Sequence, residues 1–489
     1  MYKTLSEIKQ ALESKAVSSL ELITHYLGVI QQLNPSLNAM ISVHEQAAIE
    51  AAKQCDQLRA SRSADTLPAL CGLPIIHKDI FCTVQSKTTC GSQMLANFEP
   101  HYDATIVSRL RQAGMIQLGN ANMDEFAMGS SNETSFFGPC YNPWSLSHVP
   151  GGSSGGSAAA VSAGFSPVAS GTDTGGSIRQ PAAFCGVTGL KPTYGTLSRY
   201  GMVAFASTLD QAGYFANDMR DIALLLDHSA GQDPNDSTTR NYPEPNGIAA
   251  EQVGDKPLTI GVPAFMSDHS LPAAISHAFD ETLAVFKRLG YSVQTVELPH
   301  SQYAVPTYYV IAPAECSSNL ARYDGVKYGF RSSNSHNLES LYVNTRTEAF
   351  GEEVKRRILL GTFALSSGYY DAYYEQASKV RTLIKRDFEQ AFNNVDLILT
   401  PTTPSTAFKV GEKTSDPIAM YQSDLYTLPA SLAGLPAASF PAGFSEGLPI
   451  GMHLAANRCM ERYLIQSVAR FQQETDWHLK QPNIERDTP

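Results

Sequence analysis

The 489-residue sequence has little charge, and its basic residues are outnumbered. Lys and Arg total 36 against 47 Asp and Glu, which gives a formal net charge of −11. A surface of that sign on average repels phosphate backbones, so a stand-alone nucleic-acid-binding protein is disfavoured. Charged residues make up 17% of the chain and hydrophobic residues 43%. That balance is typical of a globular protein with a sizeable core and excludes a disordered chain.

Closely spaced metal-ligating residues are also lacking. The 8 cysteines are scattered without a CxxC pair, so neither a zinc ribbon nor a disulfide framework is predicted. The pair His44–Glu45 is not followed by the second histidine of an HExxH motif. We therefore expect no metal site.

Long hydrophobic runs are missing as well. No apolar stretch approaches the roughly 20 residues needed to span a bilayer. The N-terminus begins with a helix capping box at Thr4 and Glu7 rather than with a basic region and an apolar core. We expect a cytoplasmic protein that has no membrane partner.

Two helices are predicted to open the chain. The second has a capping box at Ser18 and Glu21 and should end at Asn34, before Pro35. These helices and their connections form a predicted N-terminal part over residues 1–65.

An α/β fold is predicted for the remainder. From about residue 68 short apolar runs are broken by glycine, which is typical of buried strands in a largely parallel sheet. Residues 258–298 show a strand, an amphipathic helix and a second strand, as in a βαβ unit. The stretch 231–257 is rich in Pro, Asn, Asp and Thr and is predicted to be a loop. From these residues alone, it is open whether this loop separates two domains.

Two loops rich in glycine and serine suggest chemistry. Residues 150–157 (PGGSSGGS) lead into a run of small residues that can form a helix, and residues 171–179 (GTDTGGSIR) follow closely. Backbone N–H groups of Thr174, Gly175, Gly176 and Ser177 could surround an oxygen bonded near Ser177, as in an oxyanion hole. A serine hydroxyl is a weak nucleophile and needs a base.

Lys78 is an unusual candidate for that base. It lies within an apolar run, 73–81, and would share a strand face with Ile76 and Ile80. Burial there would bring its pKa from about 10.4 to about 7, at a cost of roughly 4 to 5 kcal/mol. The alternative is a lysine whose ammonium reaches the surface from a strand end.

A Ser-His-Asp triad is the competing hypothesis. Residues 151–155 match the GxSxG nucleophile elbow, and His77 could serve as the base, oriented by Asp79 or Asp173. In folds that use this elbow the histidine follows the serine, whereas His77 precedes it. We therefore expect His77 to be satisfied by local hydrogen bonds.

Together, these segments resemble the amidase signature family. They are the lysine strand, the GGSSGG loop at 151–156, and the TDTGGSIR loop at 172–179 with Cys185 and Gly186 after it. The segments 122–135, 209–213 and 351–357 extend the resemblance over nearly the whole chain, closest to members that serve as glutamine-hydrolysing subunits of tRNA-dependent amidotransferases.

The resemblance implies a fold and a set of roles. The fold would be one large α/β domain over 1–489, a mixed and mostly parallel sheet covered by helices, with its core at about 66–230 and 258–470 and with 231–257 as an insertion. Ser177 would attack, Ser153 would relay a proton through a cis peptide bond, and Lys78 would be the final base. Arg357 would bind the α-carboxylate of glutamine and Asp424 its α-ammonium group.

The resemblance also implies partners, which are subunits B and C of a heterotrimer. Ammonia would pass to the B subunit, which uses ATP and Mg to amidate misacylated Glu-tRNA(Gln), and the small C subunit would brace the pair. No cofactor is expected on this chain. A stand-alone amidase and a non-catalytic scaffold are the alternatives. The sequence departs from the commoner family text at His453, which affects the expected local packing there.

Overall fold

The chain begins with the two predicted helices, each started by a capping box. Thr4 caps α1 (Leu5–Glu13) and Ser18 caps α2 (Ser19–Leu37). The predicted end of α2 at Asn34 is wrong, because the helix continues through Pro35 to Leu37. Pro35 has no N–H to donate to the carbonyl of residue 31, so one helical hydrogen bond is lost. The helix nevertheless closes beyond it, because the N–H of Asn38 donates to the Asn34 carbonyl at 2.8 Å. The Asn34 side chain instead fastens the following turn, with its Oδ1 accepting from the N–H of Met40 at 2.8 Å.

The structure is a computed structural model that describes residues 2–84, 86–240, 258–267 and 271–484. Within them the further helices are α3 (Glu45–Ser61), α4 (Thr105–Gln112), α5 (Gly155–Ser162), α6 (Arg179–Cys185), α7 (Met219–Ser229), α8 (Ala273–Arg288), α9 (Ala304–Asn319), α10 (Leu338–Ala349), α11 (Glu352–Ala364), α12 (Gln376–Ala391), α13 (Pro417–Tyr421), α14 (Leu428–Leu432) and α15 (Glu461–Glu474). A single π-helical turn, Asp371–Glu375, precedes α12.

One sheet runs through the molecule. The strands are β1 (Met40–Val43), β2 (Pro74–Lys78), β3 (Ile116–Ala121), β4 (Val168–Asp173), β5 (Thr188–Lys191), β6 (Gln211–Ala216), β7 (Thr259–Pro263), β8 (Ser292–Val296), β9 (Leu397–Pro401), β10 (Ala437–Ser445) and β11 (Leu448–Ala456). Among the described residues these 11 strands are ordered β1-β3-β2-β4-β6-β5-β10-β11-β9-β7-β8. The predicted α/β fold with a large mixed sheet is confirmed, and so is the βαβ unit, because β7 and β8 pair in parallel across α8.

The expectation that this sheet is mostly parallel is wrong. In the part of the chain that the structure describes, only the pairs β3-β2, β2-β4, β9-β7 and β7-β8 are parallel, and all other neighbours are antiparallel. The apolar runs suggested parallel strands because they reflect burial, and every residue of β4, β5, β6, β9 and β11 is buried. Successive side chains point to opposite faces, so such strands are covered on both sides whatever their direction.

The helices form that cover. The small-residue helix α5 packs on β2, β4 and β6, and α6 packs on β5, β10 and β11, while α8 and α15 also pack on β10 and β11. None of the described helices is long and apolar enough to cross a bilayer. Residues 241–257, most of the predicted insertion, lie outside the described residues, so the division of the chain stays a prediction.

Candidate active site

Lys78 ends strand β2 at the centre of the site. Its side chain is fully buried, and Nζ donates to Ser153 Oγ at 2.9 Å, to Ser154 Oγ at 2.9 Å and to Thr172 Oγ1 at 2.8 Å. Burial lowers the lysine pKa to about 7, although the carboxylates of Asp124, Asp173 and Asp210 act in the opposite direction. A buried amine that titrates near neutral pH can both accept and return a proton. Lys78 therefore does not extend to the surface, and its amine lies in a buried pocket of hydroxyl groups.

The first glycine-serine loop brings Ser153 to this lysine. The Gly152–Ser153 peptide bond is cis, and α5 begins two residues later at Gly155. A Cβ atom on Gly152 would lie 2.1 Å from Asp124 Oδ2 and 2.8 Å from the backbone N of Ser131. Only glycine allows the loop to approach the 122–135 segment this closely.

Asp124 in turn holds the 122–135 segment together. Its Oδ2 accepts from the N–H of Asn132 at 2.9 Å, and its Oδ1 accepts from Thr134 Oγ1 at 2.8 Å. The carboxyl is fully buried, and burial raises its pKa. This segment therefore acts as a rigid support for the serine that contacts Lys78.

The second loop, 173–179, is closed by a buried ion pair between its ends. Arg179 donates from Nη2 to Asp173 Oδ1 at 2.8 Å and from Nε to Asp173 Oδ2 at 2.9 Å. Asp173 Oδ2 also accepts from the N–H of Ile178 at 3.2 Å. Arg179 holds the pKa of Asp173 below its usual range despite burial. The pair fixes the turn that carries Ser177.

Ser177 lies where this turn reaches the open side of the site. It retains 8% exposure, whereas Ser153 and Lys78 have 0%. The N–H of Ser154 donates to the Ser177 carbonyl at 3.2 Å, which joins the two loops directly. The structure thus brings all three predicted residues together, with a side-chain contact between Lys78 and Ser153.

The predicted oxyanion-hole groups lie in the same turn. Within the described ranges, the N–H groups of Thr174, Gly175, Gly176 and Ser177 donate to no other residue. The turn is held by the other groups it carries, because Thr427 Oγ1 donates to the Gly175 carbonyl and Thr174 Oγ1 donates to Asp210, each at 2.7 Å. Four adjacent N–H groups therefore remain available to an oxygen beside Ser177.

Asp424 faces this turn from the C-terminal part of the chain. Its Oδ2 accepts from Ser130 Oγ at 2.7 Å, whereas its buried Oδ1 has no partner among the described residues. A Cβ on Gly176 would lie 2.9 Å from that Oδ1 atom. Burial raises the Asp424 pKa to about 7. An unpaired carboxylate oxygen beside the Ser177 turn is well placed to receive a cation.

Arg357 approaches the same turn through a group of aromatic rings. It is buried on α11, donates from Nε to Glu353 Oε1 at 2.8 Å, and lies 5.4 Å from the ring centre of Tyr309. The neighbouring Tyr308 touches the turn, since a Cβ on Gly175 would lie 2.9 Å from its Cζ atom. Asp424, predicted for the α-ammonium group, therefore lies directly against the turn, whereas Arg357, predicted for the α-carboxylate, is separated from it by the tyrosine rings.

Some residues at this site were missed by sequence reasoning. Ser154 and Thr172 share the lysine with Ser153, and their only signal is that they stand in the same two loops. Ser130, Tyr308 and Tyr309 carry no local pattern that indicates a pocket.

The Ser-His-Asp hypothesis fails on geometry. His77 is fully buried, its Nδ1 contacts Ser170 Oγ at 3.0 Å, and burial lowers its pKa to about 3. Asp79 accepts from Asn120 Nδ2 at 2.9 Å, and Asp173 is paired with Arg179. Neither aspartate orients His77, which is satisfied locally as expected.

His453, the departure from the family text, lies against the arginine of the ion pair. Arg179 Nη1 is 3.0 Å from His453 Nε2, and His453 Nδ1 is 3.3 Å from Thr400 Oγ1. Since arginine can only donate, Nε2 accepts and the imidazole is neutral. The described residues contain no group of three or more His, Cys, Asp or Glu side chains able to hold a metal ion.

Known proteins resemble this chain in both sequence and fold. The Amidase family profile matches residues 21–465. A Coxiella burnetii protein, named as the A subunit of glutamyl-tRNA(Gln) amidotransferase, is 54% identical over 482 residues, 99% of each chain. The solved structure of the protein of that name from Thermotoga maritima is 43% identical, with a TM-score of 0.74 over 92% of this chain and 90% of that one. The 6-aminohexanoate cyclic dimer hydrolase is 26% identical, with a TM-score of 0.82 over 99% of both chains.

Proposed function

The chain belongs to the amidase family, and we propose that it is the glutamine-hydrolysing subunit of a glutamyl-tRNA(Gln) amidotransferase. The observation that carries the proposal is the contact of the buried Lys78 amine with Ser153 beside the Ser177 turn. Full-length identity of 54% to a relative of that name supports the choice among amidases.

The proposed reaction begins at Ser177. Its Oγ attacks the side-chain carboxamide carbon of glutamine while its proton passes to Ser153 and from Ser153 to the Lys78 amine. The new oxyanion is stabilised by the N–H groups of Thr174, Gly175, Gly176 and Ser177. The proton then returns through Ser153 to the leaving nitrogen, the C–N bond breaks, and ammonia departs. Water hydrolyses the resulting ester, which releases glutamate and restores Ser177.

Recognition of glutamine uses its two charged ends. The α-carboxylate pairs with Arg357, whose planar guanidinium suits a carboxylate. The α-ammonium group pairs with Asp424 Oδ1, the buried oxygen that lacks a partner in the described structure. Opposite charges at fixed positions on either side of the Ser177 turn select an amino acid over a neutral amide.

The ammonia is used by a partner. In this proposal the B subunit consumes ATP with Mg and amidates misacylated Glu-tRNA(Gln), the C subunit braces the heterotrimer, and the present chain binds neither cofactor nor metal. The net charge of −11 fits a chain that leaves phosphate contacts to its partner. Such a complex would work in the cytoplasm.

A covalent probe tests the proposal. Treatment with an electrophilic glutamine analogue, followed by mass spectrometry, should place the adduct on Ser177 and give none in Ser177→Ala. Glutaminase activity should be weak alone and rise strongly with subunits B and C and Glu-tRNA(Gln). Adduct on Ser153 would favour the nucleophile elbow, and absence of adduct would favour a scaffold.

A stand-alone amidase is the second candidate. It is favoured by the structural likeness to the 6-aminohexanoate cyclic dimer hydrolase. Full activity on simple amides without partners, together with no stimulation by them, would establish this candidate and refute the transferase.

A further inference from the structure

A buried carboxylate that the proposed reaction does not use lies between two parts of the site. Glu125 belongs to the 122–135 segment, and only 3% of its surface is exposed. Its Oε2 accepts from the N–H of Gly351 at 2.8 Å, and its Oε1 accepts from Ser92 Oγ at 2.5 Å. Gly351 directly precedes α11, the helix that carries Arg357. Glu125 therefore connects the segment that supports the first serine loop to the start of that helix.

The surroundings of Glu125 explain how a carboxylate is accommodated there. Burial raises its pKa to about 7, while the hydrogen bonds from Ser92 and Gly351 and the ammonium group of Lys355 act in the opposite direction. The free N–H groups at the start of a helix favour a negative charge nearby, which offsets part of the cost of burial. Glu125 thus interacts with the first turn of α11 through both its charge and its hydrogen bonds.

The contact at Gly351 leaves no room for a larger residue. A Cβ atom there would lie 2.4 Å from Glu125 Oε2, although the Gly351 φ of −69° is ordinary for any residue. Glycine therefore serves the close approach of the carboxylate rather than an unusual backbone. Beside this contact, the Phe350 ring centre lies 5.7 Å from that of Phe126. Adjacent residues of the two segments thus meet in one polar and one apolar contact.

Arg357 lies between two fixed points of α11. Gly361 fixes the later one, because a Cβ there would lie 1.8 Å from the Pro313 carbonyl oxygen, so the backbones of α11 and α9 are in direct contact. Glu125 fixes the earlier one at Gly351. If the earlier point is released, the helix can pivot about the later one, and the guanidinium between them moves.

We propose that Glu125 is a positioning residue, which fixes the start of α11 and thereby holds Arg357 in place for the α-carboxylate of glutamine. This inference rests on the proposed function, in which Arg357 has that role. Within the described residues, Glu125 makes no hydrogen bond to the lysine or the two serines of the proposed triad. Its loss should therefore weaken recognition of the amino acid and leave the nucleophile intact.

Two probes of Ser177 test the inference in the full chain. An electrophilic glutamine analogue requires both recognition and the nucleophile. Phenylmethylsulfonyl fluoride lacks the charged ends of an amino acid and requires only the nucleophile. Glu125→Ala should lower the labelling rate with the analogue, and raise the KM for glutamine, about 10- to 100-fold, as expected for a displaced binding group. Labelling by the fluoride and kcat should change by less than about 3-fold.

Two further variants separate positioning from general damage. Glu125→Gln should behave as wild type, because its carbonyl oxygen can accept from Gly351 and its amide can donate to Ser92. Asp221→Ala is the matched control, since Asp221 is also buried with its pKa raised to about 7, and it accepts from the N–H of Leu5 at the start of α1 at 2.9 Å. The control should lose stability in urea, as Glu125→Ala does, but keep both labelling rates.

A double-mutant cycle shows whether Glu125 acts through Arg357. If it does, Glu125→Ala adds nothing to the KM of Arg357→Met, whereas independent roles give effects that multiply. Gly351→Ala keeps the carboxylate but displaces it, so this variant alone should raise the KM for glutamine. It should add nothing to Glu125→Ala, which removes the oxygen that the new Cβ would meet.

The outcomes distinguish this inference from the proposed function. An unchanged KM in Glu125→Ala, equal slowing of both probes in it, equal impairment of Glu125→Gln, or multiplying effects with Arg357→Met would each overturn the inference. Labelling of wild-type Ser177 by the glutamine analogue stands in all four cases. A wild type that the fluoride labels on Ser177 but the analogue does not would defeat the proposed function, and the inference with it.

Discussion

Two buried lysines show how contacts, rather than pKa alone, define a base. Burial lowers the pKa of both Lys78 and Lys191 to about 7. Lys191 Nζ donates to the backbone carbonyls of Pro192 and Leu435, which have no proton to give. Lys78 contacts three hydroxyl groups, each of which carries a proton. Of these two lysines, Lys78 is therefore the one whose contacts fit the proposed role of a base.

The pH dependence of turnover should follow Lys78. Because its pKa is lowered to about 7, the amine is protonated below that pH and free above it. We expect kcat for glutamine hydrolysis to rise with pH up to about 7 and then level. Lys78→Met should lower kcat by roughly 10²- to 10⁴-fold. Lys191→Met is the control, and the folded fraction of this variant should keep the wild-type dependence of kcat on pH. A wild-type kcat that is independent of pH between 6 and 8 would contradict the assignment.

The pH dependence of binding should follow Asp424. Burial raises this pKa to about 7, so the carboxyl is neutral at lower pH and cannot pair with an ammonium group. We expect the KM for glutamine to rise as pH falls below about 7. Asp424→Asn should raise this KM roughly 10- to 100-fold, as expected for a lost charge-assisted hydrogen bond. It should also make KM nearly independent of pH. Ser130→Ala removes a bond that lowers this pKa and should shift the midpoint upward. An unchanged KM in Asp424→Asn would exclude the role.

At the residue scale, the sequence predicts those site residues that belong to short contiguous motifs. The two loops and the apolar sequence run around Lys78 are visible in contiguous segments, and the family match confirms the resemblance based on them. Tyr308 and Ser130 reach the pocket from separate elements, so no local pattern places them there. The roles of Ser153, Arg357 and Asp424 came from the resemblance alone and stay predictions.

At the scale of elements, glycine allows the site loops to approach one another. Gly152 faces Asp124, whereas Gly28 in the middle of α2 has no atom within 4 Å of an added Cβ. Gly28→Ala should raise the free energy of unfolding by about 0.5 to 1 kcal/mol, because alanine favours a helix, and leave labelling of Ser177 intact. Gly152→Ala should abolish labelling, since its Cβ would displace Asp124 or the loop. Urea unfolding and mass spectrometry measure the two effects, and normal labelling of Gly152→Ala would refute the close approach.

The helices and strands also show which local sequence rules are sufficient to predict their bounds and direction. Capping boxes placed the starts of α1 and α2 correctly because the reciprocal hydrogen bonds are local. The predicted end of α2 is wrong because the loss of the single hydrogen bond at Pro35 does not stop the helix, which is closed one residue past its end by the Asn38 N–H. Strand direction could not be obtained from apolar runs, since a strand covered on both faces looks the same in either sense.

At the scale of the molecule, β5 and β10 join the two halves of the sheet. Leu190 pairs with Ala438 in this central ladder, and Arg179 donates to the Thr427 carbonyl at 2.8 Å and to Ser431 Oγ at 2.7 Å. Cutting within 241–257 should therefore give fragments 1–240 and 258–489 that do not fold alone but co-purify when expressed together. Circular dichroism and gel filtration test this. A fragment 1–240 that unfolds cooperatively by itself would establish two domains.

The long-range bonds of Arg179 also set when the enzyme can first act during synthesis. The turn of Ser177 is held through Arg179 by Thr427, Ser431 and His453, residues that lie 248, 252 and 274 positions after Arg179 and leave the ribosome correspondingly later. Until then Arg179 has only Asp173 as a side-chain partner, and Asp424 is not yet available beside Gly176. A nascent or prematurely terminated chain therefore carries Ser177 without the contacts that hold its turn. Under the proposed function, such a chain would hydrolyse no glutamine until its translation is nearly complete.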